Sequence, residues 1–436
     1  MKTPGTSPGQ NAYKRCIMRV ALLNDSFPPQ IDGVSNVVVN YASTLQAHGH
    51  EPVVAVPDYP GVVDDYSYPV VRYRSLDTTR MFGYRAGYPF SASALETLQG
   101  YHPEIIHSHC PIASNFLART LRESTGVPLV FTYHTKFDID IRTAVRGHLL
   151  QNELISALVR NVQASDEVWT VSRGAGENLR SIGYEGDYIV MDNGVDMPQG
   201  RADDALIARV EDLCHLTPGV PVFLFAGRLR WYKGIRFIIE GLAKAMKAGA
   251  DFRMIFVGDG SDREAIEKLC EQAYLKERCV FAGAIRDREL LRAFYSRADL
   301  FLFPSTFDTN GIVVREAAAC GLGAVLIADS CAAEGVTDGQ NGLLIREDAD
   351  DLCAKALFAC SHLEEVRRIG ENARQQLYIS WDTAVRRAEE RYQVVLENHR
   401  CHPPRARHDL FPFVSNWVDI VNRARDISQQ VFDLLK

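Results

Sequence analysis

Asp308 and Glu316 stand eight positions apart with Gly311 between them, in a polar segment (304–321) that follows the apolar run 300–303. An apolar strand, a loop and a helix beginning near Gly311 would leave the helix's first backbone N–H groups free at the loop mouth, a ready anion site. Glu316 lies four residues beyond Ile312, about one turn on and on the same side. Upstream, Gly227, Arg228 and Lys233 lie between another apolar run, 221–226, and a helical pattern starting at Ile235. Arg offers a planar fork of donors for phosphate oxygens and Lys a point charge. Carboxylates accept from hydroxyl groups. The set therefore suits a ligand with hydroxyl groups at both ends and a diphosphate in the middle. Without these neighbours, the acids read as a helix cap and a solvated surface charge, and the cations as charges around a turn.

Those residues need rigid elements to hold them. The run 18–23 reads as a parallel strand covered on both faces. It is followed by a Pro-containing loop, a helix over 34–47 with apolar Val34, Val37, Val38, Tyr41 and Leu45 at helical spacing, and a strand over 52–56. Such a unit carries its functional loop at the strand's C-terminal end. Gly33, just before the helix, lets a phosphate approach the backbone closely, or simply starts the helix. Strands over 105–109 and 129–135 end in His109 and His134. One strand-end histidine is commonly structural, whereas two at neighbouring strand ends point to a site. Further strands read over 168–171 and 188–190, and the turn 192–196 is the expected hinge. The pattern then restarts, with strands over 221–226, 252–257, 280–285, 300–303, 324–328 and 342–345. Gly258 and Gly260 read equally as a nucleotide contact and as turn geometry. The expected architecture is α/β, with a loose tail (1–16), a first Rossmann-like domain (17–195), a second (196–380) and C-terminal helices (381–436) packing back on the first.

At 436 residues the chain is long enough for two or three domains. A net charge of −7 argues against a general nucleic-acid binder. The first 195 residues carry 16 Lys+Arg against 19 Asp+Glu, so no global positive field draws that half to an anionic membrane. Ten cysteines contain no Cys-x-x-Cys pair. Residues 1–10 lack the apolar core of a signal peptide, and no run approaches the roughly 18–20 apolar residues of a membrane helix. The expectation is a cytoplasmic protein with reduced thiols.

The acidic pair and the Gly227-Arg228…Lys233-Gly234 segment resemble those of the retaining glycosyltransferases of family four, which have the GT-B fold. Asp308 stands where the usual pattern has Glu, Asn310-Gly311 where it has Phe-Gly, and Asp32-Gly33-Val34 where it has Gly-Gly-Val. The resemblance covers about residues 18–398. It implies two Rossmann-like domains facing across a cleft, a helix from Trp381 crossing back to the first, and transfer of a sugar from a nucleotide donor with retention at the anomeric carbon. By the same likeness Arg228 and Lys233 hold the diphosphate without a metal or other cofactor. Asp308 takes sugar hydroxyls, Glu316 the ribose, and His134-Thr135 lies near the anomeric carbon and the acceptor. His109 matches a less specific position, and Ile285 belongs to the strand end whose backbone cradles the base. Gly33, Gly227, Thr309, Asn310, Gly311 and Ile312 complete the donor's surroundings. No carboxylate in these motifs is placed as a glycosidase-type nucleophile. The expected mechanism is front-side attack, with the donor phosphate taking the acceptor's proton.

Tyr133-His134-Thr135 and Ile31 to Val34 resemble the branch that glucosylates diacylglycerol, which implies a glycerolipid acceptor and peripheral contact with the inner membrane face. Phe82, Tyr84, Tyr88 and Phe90 then line a lipid-facing loop, or form a packed satellite cluster. The apolar stripe of 414–436 docks on the first domain or a partner subunit, or lies on a membrane. A sugar phosphate or growing polysaccharide stays open as acceptor. Rival readings are an epimerase or hydrolase on the same architecture, which turns over donor with no acceptor present, and a silent relative acting as a binding protein. A dehydrogenase is disfavoured because no strand is followed by Gly-x-Gly-x-x-Gly.

Overall fold

A computed structural model describes residues 17–30, 32–79 and 85–401. The tail 1–16, Ile31, Phe82, Tyr84 and the stripe 414–436 lie outside the described residues. The strands are β1 (Arg19–Leu23), β2 (Glu51–Pro57), β3 (Val70–Tyr73), β4 (Ser75–Leu76), β5 (Ala86–Gly87), β6 (Ile105–Ser108), β7 (Leu129–Tyr133), β8 (Glu167–Thr170) and β9 (Ile189–Val190) in the first half. The second half contributes β10 (Val222–Ala226), β11 (Arg253–Val257), β12 (Cys279–Gly283), β13 (Leu300–Phe303), β14 (Ala324–Ile327) and β15 (Leu343–Ile345).

Two parallel sheets result, ordered β3-β2-β1-β6-β7-β8-β9 and β12-β11-β10-β13-β14-β15, with β4 and β5 as a separate antiparallel pair. Strands buried on both faces must be apolar throughout, and the sequences of β10 (Val-Phe-Leu-Phe-Ala) and β13 (Leu-Phe-Leu-Phe) are, with every residue buried. Their rings pack directly: Phe225 and Phe303 have centroids 6.0 Å apart, and Phe301 and Phe303 5.7 Å. The covering helices bury one stripe each. Helix Ile235–Lys247, for example, turns Ile235, Ile238, Ile239, Leu242 and Ala245 inward, the three-to-four spacing of an amphipathic helix.

In both sheets the strand order reverses beside the first strand of the half: β2 lies on one side of β1 and β6 on the other, and β11 and β13 flank β10. Ligand crevices in α/β sheets open at this reversal, beyond the strands' C-terminal ends. The loops after β1, β6, β10 and β13 carry Gly33, His109, Arg228, Lys233 and Asp308, so the topology gathers the expected site residues.

The strands read from the sequence are present, with ends shifted by a few residues. The 280–285 run stops at Gly283, whose φ of +76° turns the chain, and 129–135 stops at Tyr133. Strands β3, β4 and β5 lack an apolar run long enough to announce them.

The chain forms two compact units, residues 1–391 and 392–436. Both sheets belong to the first. The chain passes between them twice, and the two crossings touch. Val195 N–H donates to the Ile379 carbonyl at 2.9 Å, and a Cβ on Gly194 would lie 2.6 Å from Trp381 Cα. Beyond the second crossing, residues 381–391 of helix Trp381–Cys401 contact the first half. Arg391 pairs with Glu167 at 2.6 Å, and Asp382 with His48 at 2.9 Å. Residues 392–401 of this helix belong to the second unit. Among the described residues no helix is long and apolar enough to cross a membrane.

Candidate active site

After β10 the chain turns at Gly227 (φ +148°), buries Leu229 and makes a single 3-10 turn, Trp231–Lys233, that ends at Gly234 (φ +77°). A Cβ on Gly234 would lie 1.9 Å from the Pro304 carbonyl oxygen. Only glycine therefore lets this turn press against the loop leaving β13. That contact delivers Lys233 to Asp308. The buried ammonium donates to Asp308 Oδ1 at 2.5 Å, and Ser305 Oγ donates to Oδ2 at 2.6 Å. A buried ammonium is costly unless paired and hydrogen-bonded, and Asp308 supplies that pairing. Arg228, five residues before Lys233, is exposed. Partial desolvation raises the pKa of Asp140, on helix Phe137–Ala144, and the charge of Arg228 works against that rise. Gly258 and Gly260 belong to a neighbouring turn, where added Cβ atoms would meet the carbonyl oxygens of Gly227 at 1.9 Å and Leu229 at 2.3 Å. Close packing of two turns accounts for that Gly-x-Gly.

Helix Ile312–Ala319 begins behind Gly311 (φ +62°) with no side-chain cap and no acid in its first turn. The N–H groups of Ile312 and Val313 are left for an external acceptor, while that of Val314 donates to the Gly311 carbonyl at 2.8 Å. Glu316, one turn in, is buried, and both its oxygens are engaged: Arg288 Nη2 donates to Oε1 at 2.8 Å and the Tyr295 hydroxyl to Oε2 at 3.0 Å. Burial and the Glu316 charge push the Tyr295 pKa well above its usual value, so this hydroxyl stays a donor. Thr309 and Asn310 turn toward the other half of the molecule. Thr309 Oγ1 donates to the His134 carbonyl and Asn310 Nδ2 to the Val171 carbonyl, each at 2.5 Å. Ile312 and Ile285 are half-buried against the second half's core.

Across the cleft, His134 is buried with its Nε2 3.0 Å from His109 Nδ1. His107 extends the group, its ring 4.0 Å from that of His109 and its Nε2 2.6 Å from Thr132 Oγ1. Burial pushes the His134 pKa down to about 3. Burial, then the neighbouring imidazoles, holds His109 well below its usual value, and burial then His134 does the same to His107. All three are neutral near pH 7, so His134 can accept or donate one hydrogen bond but supplies no charge. Thr135 is half-buried, and its carbonyl accepts from Phe137 N–H.

The helix end at Gly33 differs from expectation. Its N–H groups are not free: the Asp32 carboxylate accepts from Val34 N at 2.9 Å and Ser35 N at 2.7 Å, with the Ser35 hydroxyl closing a reciprocal box. An Asp at the N-cap reaches these donors without strain and satisfies them. Gly33 itself faces open space, with nothing within 4 Å of an added Cβ. Tyr88 and Phe90 do not form a buried cluster. They are 43% and 44% exposed and meet edge-on, with centroids 5.7 Å apart.

Three residues in this cleft were not singled out by the sequence. Ser305 and Arg288 hold the two acids, and Tyr295 shares Glu316. Arg288 and Tyr295 lie seven apart on helix Arg288–Arg297, two turns along one face, a spacing that is readable but names no partner.

Residues 31–198 match the family model for Glycosyltransferase Family 4, and residues 215–376 that for Glycosyl transferases group 1. Among similar proteins, an alpha-monoglucosyldiacylglycerol synthase of Streptococcus pneumoniae is 21% identical over 70% of this chain and 70% of its own length. A GDP-mannose-dependent alpha-mannosyltransferase of Mycolicibacterium smegmatis is 27% identical over 83% of this chain and 92% of its own. The solved structure of Anabaena Alr3699/HepE in complex with UDP superposes with a TM-score of 0.69 at 17% identity, covering 86% of this chain and all of that one. With the two parallel sheets and their facing loops, these matches place the chain in glycosyltransferase family 4, as an enzyme of the GT-B fold.

Proposed function

We propose that the protein is a retaining hexosyltransferase that moves glucose from UDP-glucose to a hydroxyl of a glycerolipid, without a metal. The observation that carries this reading is the Lys233–Asp308 pair set beside the uncapped end of helix Ile312–Ala319. As the bond from the anomeric carbon to the diphosphate breaks, negative charge grows on the leaving oxygens and positive charge on the sugar ring. Lys233, Arg228 and the helix N–H groups are the donors available to the leaving phosphate, a preorganised electrostatic contribution. An ammonium has three donors, so Lys233 can keep Asp308 and still reach a phosphate oxygen. Asp308 retains lone pairs for sugar hydroxyls and Glu316 for the ribose. Neutral His134, steadied by His109, orients the acceptor for front-side attack, and the donor phosphate takes the acceptor's proton.

The lipid acceptor rests on the relative named as a diacylglycerol-linked synthase and on the exposed Tyr88–Phe90 pair. With it goes a cytoplasmic enzyme in peripheral contact with the membrane. A second donor reading, GDP-mannose, is favoured by the mannosyltransferase relative, which spans more of the chain. Thermal unfolding with UDP-, GDP- and ADP-sugars, with and without EDTA, tests the donor. A ligand at a hundred times its Kd adds about 2.7 kcal/mol of stability. The reading expects a shift with UDP-glucose that EDTA leaves unchanged, then an α-linked glucolipid in an assay with diacylglycerol vesicles. No shift with any nucleotide sugar would overturn it in favour of a silent binding protein.

A further inference from the structure

Glu316 is held by a residue that also grips the passage between the two halves. Arg288 Nη2 donates both to Glu316 Oε1 and to the Asp196 backbone carbonyl, each at 2.8 Å, and Arg288 Nε stands 3.8 Å from Asp196 Oδ2. Asp196 follows Val195, the residue that bridges the returning crossing at Ser380. A second tie runs in parallel, since Arg315, next to Glu316 in the chain, donates to Asp192 at 2.6 Å. The Glu316 side chain is only 9% exposed. Removing one partner of such a buried pair leaves the carboxylate without the contact that anchors it.

An ionised carboxylate offers about four lone-pair sites. Arg288 and Tyr295 take one on each oxygen, leaving one on each. Two acceptors side by side on one rigid group match the vicinal hydroxyls of a ribose. We propose that Arg288 is a positioning residue for nucleoside recognition: it holds the Glu316 carboxylate in one orientation and fixes it to the crossing backbone at Asp196. This rests on the reading that Glu316 accepts from the ribose. Arg288 reaches the nucleoside only through Glu316.

The test compares the affinities of UDP and 2′-deoxy-UDP, and of GDP and 2′-deoxy-GDP, by calorimetry in the full chain. The parent should prefer the ribonucleotide about tenfold, the scale of one charge-assisted hydrogen bond. Glu316→Gln should bring the preference close to one. Arg288→Gln should do the same, the double variant should lose no more than either single one, and Arg288→Lys should restore part of the preference. Unfolding midpoints, measured alongside, verify that each variant is folded. A parent that does not distinguish ribose from deoxyribose would overturn the ribose reading and the inference with it. An Arg288→Gln protein that keeps the parental preference while Glu316→Gln loses it would overturn the inference alone. Loss in Arg288→Gln with retention in Glu316→Gln would show Arg288 touching the sugar itself, and so would also overturn a positioning role.

Discussion

With Lys233 on one oxygen and Ser305 on the other, Asp308 is a prepared acceptor whose geometry is fixed before any ligand arrives. On the proposed reading, Lys233→Ala removes one charged contact to the diphosphate, and it strands the Asp308 carboxylate. The expected loss in kcat/KM is at least about tenfold, near 1.5 kcal/mol, and steady-state kinetics with a fixed acceptor check it. The histidine group makes a second prediction at this scale. His134 is held neutral by burial, with its pKa near 3 when folded against about 6.5 in the unfolded chain. The unfolded state therefore binds the proton first as pH falls. Stability is lost from about pH 6.5 downward, continuing toward the folded value, at about 1.4 kcal/mol for each such histidine by pH 5.5. Urea unfolding at pH 7.5 and 5.5 should show that loss, and His134→Asn should shrink it. A loss unchanged in the variant would remove His134 as its source. Lys233, Asp308, Glu316 and His134 were legible because each sits at a strand end or helix start that local sequence defines. Their partners were not, since no spacing says that Arg288 reaches Glu316 or that His107 packs against His109. The Asp32 cap is a local signal, Asp followed three residues later by Ser, and the glycine between them drew attention from it by suggesting an open helix end.

Among the elements, two glycines at the site have opposite duties, and substitution separates them. Gly234 has φ +77° and no room for a Cβ, which would fall 1.9 Å from the Pro304 carbonyl oxygen. Gly234→Ala should cost more than the roughly 1–2 kcal/mol of the left-handed backbone alone, and should weaken donor binding by moving the loop that carries Asp308. Gly33 has open space around it. Gly33→Ala should leave the unfolding midpoint near the parent's and, if the proposed donor reaches Gly33, reduce turnover by filling that open space. Denaturation and kinetics on the pair check both statements, and a stable, fully active Gly33→Ala protein would exclude Gly33 from the site. The long buried strands were legible at this scale because burial on both faces demands unbroken apolar runs. Strand β3 escaped notice because only Tyr73 of its four residues is fully buried, so an edge position stood in for the apolar signal.

At the scale of the whole first unit, the two halves are joined by more than their crossings. Glu334, in the second half, accepts from Arg173 N at 2.7 Å and Gly174 N at 2.6 Å, adding to the local cap that Ser172 Oγ makes on Ala175 N at 3.0 Å at the start of helix Arg173–Ser181. Thr309, Asn310 and Lys136 add hydrogen bonds across the same cleft. On the proposed reading, a donor bound at Lys233 and Asp308 would enter between these contacts, which predicts that the halves part before binding and close after it. Loss of a helix cap costs about 1 kcal/mol, a population shift of about fivefold. Glu334→Ala should therefore raise the open fraction by about that factor wherever closed molecules dominate. Small-angle scattering without nucleotide should give a larger radius of gyration than the parent's, and stopped-flow mixing with UDP a faster association. Turnover should fall, because the closed arrangement brings His134 to the donor side. Identical scattering and association in the variant would mean that Glu334 serves only helix Arg173–Ser181, and that the Thr309 and Asn310 contacts hold the cleft shut without it.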